Sequence, residues 1–138
     1  MLIEPIEIPD SAFEDDYLLC SFVVPNSVTR IGNRAFSGCR NLNELVLPEF
    51  LCHIGWYAFC DCTGLESIMI PDNVKRLETG TFSGCVNLKK IGLNKVCEFG
   101  ELVFADCYGL ETIVLSKENQ PTFELIKKTH PYIHVVLV

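Results

Sequence analysis

Phenylalanine recurs along this chain at a nearly constant interval. The ladder is Phe13, Phe36, Phe59, Phe82 and Phe104, with steps of 23, 23, 23 and 22 residues. A fixed period in this range is the signature of a solenoid, in which each repeat forms one coil that stacks on the previous one. Because a coil this short cannot bury its apolar side alone, it depends on neighbours above and below. The period therefore predicts the fold class.

Other residue types keep the same period. At three residues after each Phe stand Asp16, Cys39, Cys62, Cys85 and Cys107; at six stand Leu19, Leu42, Leu65, Leu88 and Leu110; at nine stand Phe22, Leu45, Ile68, Ile91 and Ile113; at eleven stand Val24, Leu47, Ile70, Leu93 and Leu115. These matched columns predict a shared apolar core running through all the coils.

Within one coil, the sequence predicts a strand, a second extended segment and a turn. Leu45 and Leu47 alternate with other residues before Pro48, and period two is typical of a half-buried strand. Proline then ends the strand because it has no N–H for the ladder. Residues 26–32 predict a short extended segment or bend, and residues 33–38 a tight turn that directs Phe36 inward. Stacked coils would pair their strands into a parallel sheet with neighbours ~4.8 Å apart.

The end of the chain departs from the repeat. Residues 119–130 predict a helix, with Pro121 suited to its first turn. Residues 132–138 predict a sixth strand, with Val135 and Leu137 one period beyond the fifth. We interpret 117–138 as a C-terminal cap, and a helix that docks a partner is the alternative. The whole prediction is an α/β solenoid forming one domain over 1–138. It has about five repeats of 22–23 residues over 5–116, a parallel β-sheet, little helix, and a capping helix and strand.

Composition excludes several classes of protein. The chain has 138 residues, 49% of them hydrophobic, and a net charge of −7, which predicts a globular protein without nucleic-acid partners. No apolar run approaches the ~20 residues of a membrane span, so membrane insertion is not expected. Residues 1–20 carry acidic and no basic side chains, the reverse of a signal peptide. As written the chain would be cytoplasmic; as a fragment of a longer protein it would be secreted or at the cell surface.

Cysteines and histidines give no catalytic or metal-binding pattern. The four ladder cysteines are predicted to be buried free thiols, since parallel side chains do not bring Cβ atoms to the ~3.8 Å of a disulfide. Cys20, Cys52, Cys60 and Cys97 lie outside the ladder and are expected nearer the surface. No spacing typical of zinc, calcium, phosphate loops or nucleophilic catalysis occurs. We therefore expect no enzyme activity, cofactor or metal, and surface positions for His53, His130 and His134.

Two sets of residues outside the core columns are candidate protein-binding residues. The first is the outward position between the two core columns of each strand, with the members Val23, Val46, Met69, Gly92, Val114 and Val136. A solvated face would carry polar residues there, so an apolar stripe indicates a docking surface; the alternative is that valine simply favours strands. The second is Trp56 with Tyr57. Trp56 has no core role by register, and tryptophan is a favoured binding anchor.

Two stretches carry a resemblance to a known family. IGNRAFSGCRNLNELVLP (31–48) and IGWYAFCDCTGLESIMIP (54–71) resemble the BspA-type leucine-rich repeat. Asp16 in the cysteine column, and Glu78 and Thr81 in the glycine and alanine columns, depart from its pattern. The resemblance implies a right-handed leucine-rich-repeat coil, found largely in bacterial surface proteins that adhere to host matrix or other cells without catalysis. It therefore implies a protein partner; weak self-association as a homo-oligomer is the alternative.

Overall fold

The structure, a computed structural model, describes residues 6–138. Each coil contributes two short strands. The first strand column consists of β1 (Ile6–Ile8), β3 (Val28–Ile31), β5 (His53–Ile54), β7 (Arg76–Leu77) and β9 (Glu98–Phe99). The second consists of β2 (Ser21–Val23), β4 (Glu44–Val46), β6 (Ser67–Met69), β8 (Lys90–Asn94), β10 (Thr112–Leu115) and β11 (His134–Leu137). Helix α1 (Gln120–Thr129) lies between β10 and β11.

All strand pairs are parallel and join neighbouring coils, so the predicted parallel-strand solenoid is confirmed. In the first column the hydrogen-bonded groups are β1-β3-β5 and β7-β9; in the second they are β2-β4 and β6-β8-β10-β11. The segment 26–32, predicted as extended or bent, supplies β3. The sequence predicted one sheet, whereas the structure has strands on two sides of each coil. We number the coils one to five by their ladder phenylalanine, and α1 with β11 forms the sixth.

A third side of each coil is built from turns that are hydrogen-bonded along the stack. In the second coil the amides of Arg34, Phe36 and Gly38 donate to the carbonyls of Trp56, Ala58 and Cys60, at N–O distances of 3.0, 2.8 and 2.8 Å. The same three peptide units accept hydrogen bonds from the first coil through their carbonyls. We call this repeated set of bonds the turn ladder. It continues through the amides of Gly80, Phe82 and Gly84, which donate to the fifth coil.

Left-handed backbone conformations make the turn ladder possible. Two positions in each turn have positive φ: Ser11, Arg34, Tyr57, Gly80 and Leu102 form one column, and Asp15, Gly38, Asp61, Gly84 and Asp106 form the other. The peptide units between them close local turns, such as Ser37 N–H to the carbonyl of Arg34 at 3.1 Å. Glycine suits position 84 because it reaches positive φ without steric cost and leaves room for the Asp61 carboxylate of the coil before, which a Cβ would displace.

The core lies between these three sides. Phe36, Phe59 and Phe82 are fully buried, and successive ladder rings stack face to face along the solenoid. From Phe13 to Phe104 the ring centroids are 5.2, 5.7, 5.4 and 6.2 Å apart. The leucine and isoleucine columns surround this stack. Stacked rings at these distances add to the stabilisation that burial alone provides.

Helix α1 and strand β11 complete the sixth coil where the sequence placed them. The helix spans Gln120–Thr129 with proline in its first turn, against a predicted 119–130. Its start is tied to the fifth coil, since the Asn119 side-chain amide donates to the carbonyls of Asn94 and Val96 at 3.0 and 2.7 Å. The Thr122 hydroxyl also donates to the Val96 carbonyl, at 2.8 Å. β11 pairs with β10 in the predicted register, with Val135 opposite Ile113 and Leu137 opposite Leu115.

The single 22-residue step in the phenylalanine ladder arises at one corner of the coil. The chain passes from the second strand column to the next coil through Pro25–Val28, Pro48–Leu51 and Pro71–Val74, but then through Asn94–Val96, which is one residue shorter. The turn ladder keeps its pattern across this step, because Phe82 still donates to the Val103 carbonyl at 3.1 Å.

Candidate protein-binding surfaces

Three candidate residues form a continuous exposed stripe on the second strand column. Val23, Val46 and Met69 are 70%, 55% and 52% exposed, and they lie at equivalent positions of β2, β4 and β6. Val23 and Val46 are direct register partners. The outward residues two positions earlier are polar and exposed: Ser21, Glu44 and Ser67. We call Val23, Val46 and Met69 the exposed stripe; it is an apolar strip with polar residues along one side, as found at protein-binding patches.

Val114 corrects the sequence expectation. The repeat predicts that Val114 extends the stripe, but it is only 7% exposed. Its register partners are Gly92 and Val136, and Val136 is itself half-buried. Because Gly92 has no side chain, the terminal methyl of Met69 occupies the space where a Cβ would stand and leans towards β10. The exposed stripe therefore ends at Met69, and Val114 belongs to the buried part of the molecule.

Trp56 and Tyr57 lie after β5, at the start of the third turn. Trp56 is 42% exposed, and its ring meets that of Tyr57 edge-on at a centroid distance of 6.1 Å. The Arg34 guanidinium lies 5.6 Å from the Trp56 ring and 5.1 Å from the Tyr57 ring, so both aromatic faces contact a cation. Tyr57 also packs over Gly80 of the next coil. Trp56 is thus an exposed aromatic ring held in place by its neighbours.

The two candidate sets lie on different sides of the coil. The exposed stripe belongs to the second strand column, whereas Trp56 follows a strand of the first column. The structure does not join them into one patch, so each must be tested separately.

The ladder cysteines serve packing. The thiols of Cys39, Cys62, Cys85 and Cys107 donate to the carbonyls of Phe13, Phe36, Phe59 and Phe82, at S–O distances of 3.0, 3.1, 3.0 and 3.0 Å. Each bond therefore joins a coil to the one before it. Burial raises the pKa of Cys39 to about 11 and also raises the pKa of Cys85. A thiol held neutral in this way is a poor nucleophile and metal ligand. All eight cysteines are free thiols.

His53 is half-buried, whereas the sequence predicted a surface position. Burial and the neighbouring Arg30 lower the pKa of its imidazole. Across residues 6–138, no three His, Cys, Asp or Glu side chains lie close enough together to hold a metal ion. In the same part of the chain, no helix has the length and apolar character needed to cross a bilayer.

A pocket that the sequence did not predict lies between the fifth turn and α1. Its volume is about 350 Å³, and its lining includes Phe104, Val103, Ile113, Ile126 and Ile133. Leu102 and Leu125 stand at this pocket and are 58% and 43% exposed. Leu102 and Leu125 are apolar but do not belong to the core columns. An apolar residue at such a position is the one feature of the sequence that points to this pocket.

The repeat geometry agrees with comparisons with known proteins. The profile of the BspA type leucine rich repeat region matches residues 6–124 in six copies. The chain belongs to the BspA-type leucine-rich-repeat family. The count of six is close to the predicted count of about five, and the matched range ends inside α1. Comparison with curated protein sequences gives no match.

Solved structures show the same fold in bacterial proteins. The leucine rich repeat protein TpLRR of T. pallidum is 34% identical, with a TM-score of 0.76 over 80% of this chain and 52% of its own. A leucine rich cell surface protein of Faecalibacterium prausnitzii is 26% identical, with a TM-score of 0.56 over 75% of this chain and 34% of its own. The pneumococcal vaccine antigen PcpA is 18% identical, with a TM-score of 0.73 over 99% of this chain and 42% of its own. The chain thus spans about half or less of the length of these proteins.

Proposed function

We propose that this chain is a non-enzymatic protein-binding module of the adhesion type, and that the exposed stripe is its main contact surface. The observation that supports this most directly is the exposure of Val23, Val46 and Met69 on three consecutive coils. Burying such a strip against a partner gains roughly 25 cal/mol per Å² of apolar surface before the costs of association. The binding mode is passive recognition by a largely preformed surface, because the strands that carry the stripe are fixed by their neighbours.

The names of two structural relatives support a surface location for the parent protein. One is described as a cell surface protein and another as a vaccine antigen. We accordingly propose display at the cell surface or secretion, with a protein of the host or of another cell as partner. The net charge of −7 favours a partner with a neutral or basic contact surface.

The stripe also supports a second candidate, self-association. Val23 lies on β2, whose pairing extends only towards β4 among the described residues, so a second copy has both an apolar strip and a strand edge to contact. Light scattering over a concentration series separates the two functions. A protein that stays monomeric at all concentrations contradicts self-association.

Binding to immobilised matrix proteins tests the main proposal. We expect Val46→Glu to weaken binding to fibronectin or laminin, measured by biolayer interferometry against an albumin blank, by about tenfold or more, because a buried unpaired carboxylate opposes association. Leu18→Glu is the matched control, since Leu18 is 92% exposed and outside the stripe, and its binding should equal that of the unmodified protein.

Trp56→Ala tests the second surface in the same assay. Equal binding by Val46→Glu and the unmodified protein would contradict the exposed stripe as the contact surface. No binding to any matrix protein would contradict the proposed adhesion function. Loss of binding only in Trp56→Ala would assign the contact to the aromatic pair instead.

A further inference from the structure

The pocket between the fifth turn and α1 lies where the turn of a regular sixth coil would stand. One wall is formed by turn residues of the fifth coil and the other by α1 and the residues after it. In coils one to five this space is filled by a turn that carries a ladder phenylalanine. In the sixth coil α1 replaces that turn, and the space beside it, about 350 Å³, stays open.

The stack of phenylalanine rings ends at this pocket. Phe104 stacks on Phe82 at 6.2 Å with the planes 10° apart, and its ring lines the pocket. Phe36, Phe59 and Phe82 are fully buried, whereas Phe104 is only half-buried. The helix does carry an aromatic residue, Phe123, but that ring lies outside the pocket lining and is paired with the Lys127 ammonium at 5.8 Å. The last ring therefore presents a face on which another ring can stack.

The turn ladder ends at the same place. The amides of Gly80, Phe82 and Gly84 donate to carbonyls of the fifth coil. Their counterparts are the amides of Leu102, Phe104 and Asp106, and within residues 6–138 these three donate no hydrogen bond. By the ladder pattern they point along the solenoid towards the sixth coil. Leu102 and Phe104 line the pocket itself, and Asp106 lines an adjoining cleft that shares Phe104, His130 and Ile133 with it. Donors without partners in a partly desolvated site favour a ligand that brings acceptors.

We propose that this pocket binds an aromatic residue within a peptide segment of a protein partner. The aromatic ring continues the phenylalanine stack on Phe104, and the backbone carbonyls of the segment accept from the amides of Leu102, Phe104 and Asp106. The bound segment thus takes the place of the missing sixth turn and continues both ladders. This is a strand-addition type of recognition in which a turn ladder replaces a sheet edge.

The lining favours a peptide over a polar small molecule. The Thr129 hydroxyl donates to the Leu125 carbonyl at 2.7 Å and lies 2.8 Å from Nδ1 of His130, so these groups are engaged with each other. The rest of the lining consists of apolar side chains and backbone. What remains for recognition is Nε2 of His130 and an apolar ring site beside a row of amide donors, and the ring site with its donors matches an aromatic residue with its peptide carbonyls.

The inference rests on the proposed protein-binding function, but it concerns a separate surface and is tested separately. The probe is the tripeptide N-acetyl-Ala-Phe-Ala-amide, and its matched control replaces phenylalanine by cyclohexylalanine. Binding is followed by ¹H–¹⁵N NMR. We expect the amides of Leu102, Phe104 and Asp106 to shift on addition of the tripeptide, and the phenyl peptide to bind about threefold to tenfold more tightly than the cyclohexyl one.

Two variants make the test specific. Leu125→Trp places an indole at the pocket and should abolish the shifts while keeping the thermal midpoint unchanged or higher. Leu102→Asp should weaken binding several-fold while keeping the fold, because Leu102 is exposed and has a φ of 59°, which aspartate tolerates better than leucine. Leu18→Asp is the control and should bind as the unmodified protein does.

Several outcomes would overturn the inference. They are equal binding of the phenyl and cyclohexyl peptides, shifts that bypass Leu102, Phe104 and Asp106, and full binding by a folded Leu125→Trp variant. Val46→Glu should bind the tripeptide normally, since it alters the exposed stripe only. If the tripeptide does not bind but matrix binding is intact, the pocket proposal is rejected and the proposed function stands. If the tripeptide binds as expected but no matrix protein does, the pocket proposal stands and the proposed function is rejected.

Discussion

Each ladder cysteine combines two roles in one side chain. The thiol of Cys62 is fully buried and donates to the carbonyl of Phe36 in the coil before it. A thiol is small enough for the column and supplies a second donor to a backbone carbonyl that already accepts from the amide of its own turn, Cys39 N–H in the case of Phe36. Serine would supply a stronger donor, but burying its hydroxyl has a larger desolvation cost. Cysteine thus suits this column, whose surroundings are apolar except for one backbone carbonyl.

The buried thiols predict instability at alkaline pH. Burial raises the pKa of Cys39 and of Cys107 from 9.0 to about 11, and burial also raises the pKa of Cys62 and Cys85. Between pH 9 and 11 these thiols ionise in the unfolded chain but not in the folded one. The free energy of unfolding therefore falls as the pH rises, by up to about 1.4 kcal/mol per thiol and pH unit.

Urea denaturation at pH 7, 9, 10 and 10.5 measures this loss. A Cys62→Ala, Cys85→Ala double variant should be less stable at pH 7, because two buried groups are lost, but should lose less stability between pH 9 and 10.5. An unchanged slope in the double variant would show that other groups cause the alkaline loss.

For individual residues, the sequence predicted which side chains are buried but not which residues have a positive φ. The cysteine column predicted free buried thiols, and the structure places Cys39, Cys62 and Cys85 in the core. The positive φ of Arg34, Tyr57 and Leu102 had no signal, since side chains of this kind are uncommon in that region. The turn ladder imposes the conformation at every coil, so the residue type at a single coil does not show it.

At the scale of the element, α1 is attached to the solenoid mainly at its start. Asn119 and Thr122 are buried and donate three hydrogen bonds to the carbonyls of Asn94 and Val96. Ile126 is the buried apolar residue of the helix itself. A ten-residue helix is marginal in water on its own, so these contacts fix its position over the fifth coil.

Removing the side-chain amide of Asn119 should weaken the attachment of α1 to the fifth coil. We expect Asn119→Ala to lower the free energy of unfolding by about 1–3 kcal/mol, because the Asn94 and Val96 carbonyls lose buried donors. Gln120→Ala is the matched control, since Gln120 is exposed and next in sequence, and its change should stay within about 0.5 kcal/mol. Thermal unfolding followed by circular dichroism measures both. Equal effects would show that the Asn119 bonds contribute little.

The sequence predicted the helix well because it departs from the repeat and carries a local signal, Pro121, and it predicted β11 well because Val135 and Leu137 continue the repeat period. It predicted the first strand column only as extended or bent, because β5, β7 and β9 are two residues long and too short for a periodic pattern. The prediction that the stripe continues through Val114 was wrong. Because Gly92 has no side chain, Met69 fills the space beside it, and the stripe ends there.

At the scale of the whole molecule, stability is distributed by nearest neighbours. Within residues 6–138 the strands pair with those of neighbouring coils, so an inner coil has two interfaces. In the third coil Phe59 and Leu65 are fully buried, whereas in the first coil Phe13 and Leu19 are exposed in part. The first coil is therefore bound less firmly than the third.

This distribution predicts a graded pattern of amide hydrogen exchange. We expect the turn-ladder amides of Phe36 and Phe59 to exchange at least about tenfold more slowly than the amide of Phe13, because opening the first coil breaks one interface instead of two. The amide of Phe104, which ends the ladder, should exchange fastest of the four. NMR-detected exchange at neutral pH measures each rate, and equal protection factors for Phe13 and Phe59 would contradict the nearest-neighbour account.

The pocket could not be predicted from the sequence because it depends on the shape of the sixth coil as a whole. Its residues come from a turn, a helix and the segment after the helix, and no local pattern shows that α1 leaves space beside Phe104. The exposed stripe was easier to predict from the sequence, since Val23, Val46 and Met69 lie in strands whose alternation of inward and outward residues follows from the repeat.

The short corner at Asn94–Val96 shows where such a chain tolerates changes of length. One residue is missing there relative to Pro71–Val74, and the register of β8 against β10 shifts by one residue at Asn94, yet the turn ladder keeps its pattern. An insertion inside a turn would shift every later amide out of line with its acceptor, whereas an insertion between the exposed residues of a corner, such as Glu49 and Phe50, alters a surface loop. The corners are therefore the places where foreign loops can be grafted, and Pro48–Leu51, in the middle of the stack, is the natural first choice for such engineering.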